Sequence, residues 1–200
     1  MNIGGIVLAA GRSSRFGDGH KLLASLDGVP LLRRAIAALD RSGELDDIVV
    51  VLPPDGEALA ASAGVGRWRY VTNQAAADGM ASSLRCGLEA LGANIDGALI
   101  ALADMPFGTA DVVNTLATQF RVSGGRTIVF PQNAAGRQGH PVIWPRALFD
   151  ELKGLSGDHG GKSILMANRQ LWSPVATATE DVFMDVDTID DLRSAERFLS

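Results

Sequence analysis

Residues 8–21 read LAAGRSSRFGDGHK and follow the apolar run Ile3-Gly4-Gly5-Ile6-Val7-Leu8. Three glycines lie among arginines, serines, a histidine and a lysine, a composition with no use in a core. Glycine lets the backbone approach a ligand and turn its amides toward it. The Arg15 guanidinium can fork onto phosphate oxygens, and Lys21 can reach them as a point charge. The chemistry expected of this loop is anion binding. Neither GxxxxGK[ST] nor GxGxxG occurs, so a P-loop ATPase and an ordinary dinucleotide domain are both unsupported.

A second group of residues suits a cation. Asp104 comes just after the apolar run Ala98–Leu102, where a carboxylate can hold a divalent metal against a nucleotide's phosphates. Pro106 then fixes the turn, and Thr109 is the better N-cap for the helix that follows, which frees Asp104. Near the C-terminus, MDVDTIDDL places Asp185 and Asp187 on alternate positions of an expected strand. Asp187 lies nearer the strand end and is the favoured second metal carboxylate. A cap on the last helix, from Asp187 or Thr188, is the competing role.

Three further segments read as substrate loops. In NQAAADGMASSLRCG, Asn73 and Gly79 precede a helix opened by Ser82 and Ser83, and a helix N-terminus of this kind suits a nucleotide or its base. Gly139-His140-Pro141 precedes a short strand. Gly157-Asp158-His159 precedes a helix that starts near Gly161 and Lys162. Both are candidate acceptor loops, with strand-turn and helix-start roles as the alternatives. No Cys–His or Ser–His pair stands out as a poised nucleophile.

These residues need a scaffold to bring them together. Continuous apolar, β-branched runs predict strands at Ile3–Leu8, Asp47–Leu52, Trp68–Thr72, Ala98–Leu102 and Thr127–Pro131, with shorter ones at Pro141–Trp144 and Val182–Val186. Runs of this kind suit strands buried on both faces. Helical patterns lie between them at Leu31–Leu39, Ala81–Leu91, Ala110–Phe120, Arg146–Leu152, Gly161–Asn168 and Ile189–Phe198. Alternation of this sort predicts right-handed crossovers and a mostly parallel α/β sheet covered by helices. Ligands in such sheets bind outside the carboxyl ends of the strands, where the candidate loops fall.

Composition narrows the class. At 200 residues, one domain spanning 1–200 is expected. The net charge of −5 gives no global basic field for a nucleic-acid polymer. A single cysteine precludes an internal disulfide, and with three scattered histidines it argues against structural zinc. No apolar run approaches the roughly 18 residues of a membrane span, and no basic region precedes the first apolar run. A cytoplasmic protein without a membrane partner is expected.

LAAGRSSRFG…K, DGMASSLRCG, LADMP, GHPV, GDHGGK and DVDTIDDL occur in this order over nearly the whole chain. Together they resemble the molybdenum cofactor nucleotidyltransferases, the molybdopterin cytidylyl- and guanylyltransferase-like proteins. The resemblance implies a three-layer α/β/α Rossmann-like fold with a mostly parallel, mixed sheet. It implies that Leu8, Ala9, Ala10 and Gly11 cradle the nucleotide and that Arg15 and Lys21 hold its phosphates. Asn73, Gly79 and Ser83 would lie by the nucleotide, Asp104 and Asp187 would hold Mg²⁺, and Gly139, His140 and Asp158 would face the pterin acceptor. Leu-Ala-Ala-Gly, where guanosine-using members carry Leu-Ala-Gly-Gly, points to CTP. The sequence departs from the family pattern in the spacing from Gly17 to Lys21, in Ile189 where proline is usual, and in Lys162 where arginine is frequent.

The reaction this implies is transfer of CMP from CTP to the molybdenum-pterin cofactor with release of pyrophosphate. Arg15, Lys21 and Asp104 would act on the reacting phosphates. The attacking phosphate is already anionic, so alignment and charge neutralisation suffice and no covalent intermediate is needed. A transient contact with a molybdoenzyme that receives the product fits this role. Competing readings are a GTP-using cofactor guanylyltransferase, a cytidylyltransferase for methylerythritol phosphate, a sugar-1-phosphate nucleotidyltransferase, and a non-catalytic cofactor-binding maturation factor. Asp104-Met105-Pro106 stands where the methylerythritol phosphate enzyme is expected to carry an aspartate-alanine-arginine signature.

Overall fold

The computed structural model describes residues 1–11, 13, 16, 19–177 and 180–199, with only the backbone of Asp181. In chain order the elements are β1 (Ile3–Leu8), β2 (Ser25–Leu26), β3 (Val29–Pro30), α1 (Leu31–Arg41), β4 (Asp47–Leu52), α2 (Glu57–Ala63), β5 (Arg69–Thr72) and α3 (Met80–Ala90). They continue with β6 (Gly97–Leu102), α4 (Ala110–Val122), β7 (Ile128–Gln132), β8 (Val142–Pro145), α5 (Phe149–Lys153), α6 (Lys162–Ala167), β9 (Trp172–Ala176) and α7 (Ile189–Leu199).

Seven strands form one sheet in the order β5-β4-β1-β6-β8-β7-β9. β8 runs antiparallel to both its neighbours, and the other pairings are parallel. The sheet is therefore mixed but mostly parallel, as expected. The central strands are buried on both faces, and the edge strands β5 and β9 are partly exposed. On one face Val7, Ile48, Val50, Leu99, Ala101 and Val129 pack under Ile36 and Leu39 of α1, Leu59 of α2, and Leu116 and Phe120 of α4. The alternate residues Ile6, Val49, Val51, Ala98, Ile100 and Phe130 pack on the other face under Leu84 and Leu88 of α3, Leu152 of α5 and Ile164 of α6. The result is three layers, α/β/α. Each strand's two-residue period feeds both cores, which is why its sequence reads as a continuous apolar run.

The order reverses at β1, with β4 on one side and β6 on the other. Leu8 and Leu102, the last residues of β1 and β6, are register partners. The Ala103 N–H donates to the Leu8 carbonyl at 3.2 Å, so the two exit loops leave side by side. This is the switch-point crevice where open α/β sheets bind ligands.

Five parts of the chain differ from the expectation. Val182–Val186 is not a strand: a 3₁₀ turn, Asp181–Phe183, is followed by irregular chain. The segment is held across the sheet end instead, where the Val182 carbonyl accepts from His140 N–H and Val186 N–H donates to the Asp104 carbonyl. The edge beside β7 goes to β9, whose sequence WSPVA carries Pro174. Proline lacks a ladder N–H, weakens a strand signal and belongs on an edge. The short α2 and the β2–β3 hairpin were also unexpected, and Arg146–Leu152 divides into a 3₁₀ turn and α5. Thr109 does cap α4, its side chain accepting from Val112 N–H.

Close packing at β6 depends on a missing side chain. A Cβ at Gly97 would lie 2.4 Å from Cζ and 2.5 Å from Cε1 of the fully buried Phe120. Gly97→Ala is expected to destabilise the protein by about 1–3 kcal/mol through overpacking. Combined with Phe120→Leu, the total loss in urea unfolding should fall short of the sum of the single losses, because the methyl takes up vacated volume. Strict additivity would contradict this packing.

Candidate active site

Lys21 opens a 3₁₀ turn, Lys21–Leu23, whose cap is His20. The Leu22 N–H donates to His20 Nδ1 at 3.3 Å, and the Lys21 N–H donates to Ser13 Oγ at 3.1 Å. Leu22 is buried in the core under α1. The lysine backbone is therefore fixed from three directions. A Ser–His contact does exist, with Ser13 Oγ 3.2 Å from His20 Nδ1. Both groups accept main-chain N–H donors of this turn, so the pair clamps Lys21 rather than forming a nucleophile.

From this anchor the Lys21 Nζ reaches Asp104 Oδ2 and Asp187 Oδ1, each at 2.7 Å. Asp104 lies two residues past β6. Its own carbonyl accepts from Val186 N–H at 2.9 Å, which brings Asp187 alongside. The role of capping α7 falls to Thr188, whose Oγ1 accepts from Asp191 N–H, while Asp191 Oδ2 accepts from the Thr188 N–H. This reciprocal arrangement is a capping box, and the Asp187 side chain is not part of it. Asp185 is exposed and does not share a strand face with Asp187. Burial alone would lower the Lys21 pKa, but hydrogen bonds and charge from the two aspartates outweigh it and raise the pKa above 10.5.

A cavity of about 510 Å³ opens beside this cluster. Leu8, Ala10, Gly11, Lys21, Gly79, Ser83, Asp104, Asp158 and Asp187 all line it. Ala9 is buried, with its N–H on the Val51 carbonyl, and is not among the lining residues. Arg15 lies outside the described residues. Asn73 is buried and committed internally: its Nδ2 donates to Ser82 and Ser83, and its Oδ1 accepts from Ala75 N–H. It holds the start of α3 rather than facing the cavity. Gly79 has φ +98°, and a Cβ there would lie 2.5 Å from the Gly157 carbonyl. Only glycine permits this approach, which locks the Gly157–Asp158 loop onto the start of α3.

A second cavity of about 730 Å³ adjoins the first, and Leu8, Met80 and Leu102 border both. Gly139 and His140 line it, whereas Asp158 faces the first. Apart from Lys162, residues not singled out from sequence give it its character. Trp144 and Trp172 are two of the chain's three tryptophans, and Arg137, Lys162 and Arg169 are its charged lining residues. Arg169 sits 5.4 Å from the Trp172 ring centroid. Trp144 lies on a predicted strand and Trp172 on β9, which the sequence did not reveal, so the sequence carried no signal of a cavity there.

The two aspartates offer hard oxygen donors aimed at one cation, which fits Mg²⁺ or Mn²⁺ held by one or two carboxylates plus substrate oxygens. No cluster of three metal-ligating side chains occurs among the described residues, so water and phosphate would complete the shell.

Two histidines are held neutral. Burial draws His20 and His140 below their ordinary pKa of 6.5, against the pull of Asp55 on His20 and of the Ile100 carbonyl and Asp104 on His140. The unfolded chain then binds more protons just below pH 6.5, so the stability they contribute is complete above that pH and is lost as pH falls through the folded-state values. Urea unfolding across this range should show stability rising with pH, with a shallower slope in His140→Asn. A slope unchanged in that variant would remove His140 from the account.

The model of the MobA-like NTP transferase domain matches residues 5–172. Nicotine blue oxidoreductase of Paenarthrobacter nicotinovorans is 28% identical over 192 residues, 94% of this chain and 93% of that one. A molybdenum cofactor guanylyltransferase of Nitrobacter hamburgensis is 29% identical over 210 residues, 96% of this chain and 92% of that one. A 2-C-methyl-D-erythritol 4-phosphate cytidylyltransferase of Streptomyces avermitilis is 34% identical over 122 residues, but these cover 58% of this chain and 48% of that one. Among solved structures, Rv0371c of Mycobacterium tuberculosis H37Rv superposes with a TM-score of 0.84 at 27% identity over 98% of both chains. That protein has also been solved in complex with manganese. No described helix is long and apolar enough to cross a membrane. With a switch-point cavity, a paired-carboxylate cluster and a family match over most of its length, the chain belongs to the MobA-like NTP transferase domain family and is a nucleotidyltransferase.

Proposed function

We propose that the protein transfers CMP from CTP to the terminal phosphate of the molybdenum-pterin cofactor. A phosphate oxygen of the acceptor bonds to the α-phosphorus of CTP. The bond from that phosphorus to the oxygen bridging it to the β-phosphate breaks, and pyrophosphate leaves. The observation that carries the reading is the meeting of two unlike cavities along Leu8, Met80 and Leu102. One holds the Lys21–Asp104–Asp187 cluster, and the other is a larger, tryptophan-lined hollow whose charged residues are all basic.

In this reading Leu8, Ala10 and Gly11 border the nucleotide, with Ala9 behind them, and Gly79 and Ser83 lie on its opposite side. Asn73 acts indirectly, by fixing Ser83. Lys21, with Arg15, neutralises the triphosphate and the departing pyrophosphate. Asp104 and Asp187 would hold Mg²⁺, which supplies positive charge to the phosphate oxygens when bound. Gly139 and His140 face the acceptor, while Asp158 closes the nucleotide side. Residues 1–200 work as one NTP-transferase domain in the cytoplasm, handing product to a molybdoenzyme.

Cavity chemistry supports the acceptor. Trp144, Trp172, Leu84, Leu152 and Leu165 suit the flat faces of a heterocyclic ring, and Arg137, Lys162 and Arg169 suit its phosphate. A small polyol phosphate such as methylerythritol phosphate would leave most of that apolar lining unused. The choice of CTP rests on Ala10 in the Leu-Ala-Ala-Gly opening. One methyl group discriminates by only about 1–3 kcal/mol, so GTP is the alternative donor that the experiment must include.

Pyrophosphate release, measured with Mg²⁺ and with CTP, GTP or ATP in turn, is expected only with CTP and only when molybdenum cofactor is present. Release with GTP alone would keep the chemistry and overturn the donor. Silence with an active preparation of cofactor would overturn the acceptor, or point to a non-catalytic maturation factor. Asp104→Asn should lower turnover by about two orders of magnitude or more while leaving the circular dichroism spectrum unchanged. Near wild-type turnover would remove Asp104 from the mechanism.

A further inference from the structure

The position of the Lys21 ammonium bears on how metal and nucleotide bind. Its side chain is only 12% exposed, and it bridges carboxylates that are 26% and 24% exposed. These carboxylates come from segments far apart in the chain, and each has an oxygen 2.7 Å from Nζ. Without a cation between them, two aspartates so placed would repel each other. A divalent ion bridging the same two oxygens would sit at about 2.0–2.6 Å from each, within the hollow that Nζ fills. Two cations cannot share it.

We infer that Lys21 is a built-in occupant of the divalent-metal position, exchanged for the ion when metal and nucleotide bind. The inference rests on the proposed reading of Asp104 and Asp187 as metal ligands. The backbone around Lys21 does not need to move. Ser13, His20 and buried Leu22 pin it, while the rotatable four-carbon stem can redirect Nζ. Lys21 lines the cavity proposed for the triphosphate, so the displaced ammonium has phosphate oxygens within its sweep. Metal takes the carboxylates and Lys21 takes the phosphates. Each event then favours the other, a positive coupling of metal and nucleotide binding beyond chelation of one by the other. The ion pair also keeps the carboxylates together before metal arrives.

Two measurements on the full chain test this, both without nucleotide. The first titrates Mn²⁺ alone, following the free-ion signal by electron paramagnetic resonance. Lys21→Met and Lys21→Gln should each bind Mn²⁺ at least about fivefold more tightly than the wild type. Lys21→Arg, which keeps a cation in place, should not. Equal or weaker binding in the Met and Gln variants overturns the inference. If tightening persists when Asp104→Asn is added, the ion is bound elsewhere, and the reading of Asp104 as a ligand fails with it. Loss of Mn²⁺ binding in Asp104→Asn, without tightening in the Lys21 variants, leaves the metal site standing and removes only the exchange. The second measurement uses wild-type protein and amine labelling read by mass spectrometry. The chain has three lysines, and Mn²⁺ should raise the reactivity of Lys21 severalfold relative to Lys153 and Lys162. Unchanged Lys21 labelling at saturating Mn²⁺ contradicts displacement.

Discussion

Parallel pairing of β1 with β6 is the constraint on which the site depends. It sets Leu8 opposite Leu102, so the glycine-rich loop and the Asp104 turn leave the sheet as neighbours. The Val186 N–H on the Asp104 carbonyl then adds the C-terminal segment, and Asp187 arrives beside Asp104 without any regular element beneath it. Lys21 comes from the opposite direction, on a turn clamped by Ser13 and His20. Three loops far apart in sequence thus meet within hydrogen-bonding distance because two strands share a register. Small residues let the helices press close enough to keep that register rigid. A Cβ at Gly87 of α3, for instance, would lie 2.6 Å from Ile6 Cγ2 of β1.

Much of this could be read from the residues. The apolar runs of β1, β4, β6 and β7 are strands buried on both faces, whereas β5 is a half-exposed edge strand, and helices separate them as the alternation requires. The glycine-rich loop, Asp104 and Asp187 were singled out from residue type and position, and the structure brings Lys21, Asp104 and Asp187 together. What escaped detection was tertiary in origin. Val182–Val186 has strand-like composition, but its N–H and carbonyl groups are used by Asp104 and His140 instead of a ladder. β9 was hidden by Pro174, which an edge position tolerates. Asn73 looked like a ligand contact until its amide proved committed to Ser82, Ser83 and Ala75. The tryptophans of the second cavity could not be told from core residues, because concavity is a property of packing and not of composition.

The two cavities divide the electrostatic work. The first mixes Lys21 with three carboxylates, an arrangement that can accept a metal together with a polyanion. The second presents cations without carboxylates against an apolar, aromatic lining. Relatives of similar length carry names as different as a cofactor guanylyltransferase and a nicotine blue oxidoreductase. Such different names are compatible with one fold, since function is carried by the site rather than the fold.

The most direct test of the account is a crystal structure with Mg²⁺ and a CTP analogue whose α,β-bridging oxygen is replaced by methylene. The account predicts the triphosphate along Leu8, Ala10, Gly11 and Lys21, with the metal on Asp104 and Asp187 and the α-phosphorus turned toward Met80 and the tryptophan-lined cavity. A nucleotide seated between Trp144 and Trp172, or a metal remote from Asp104, would contradict it.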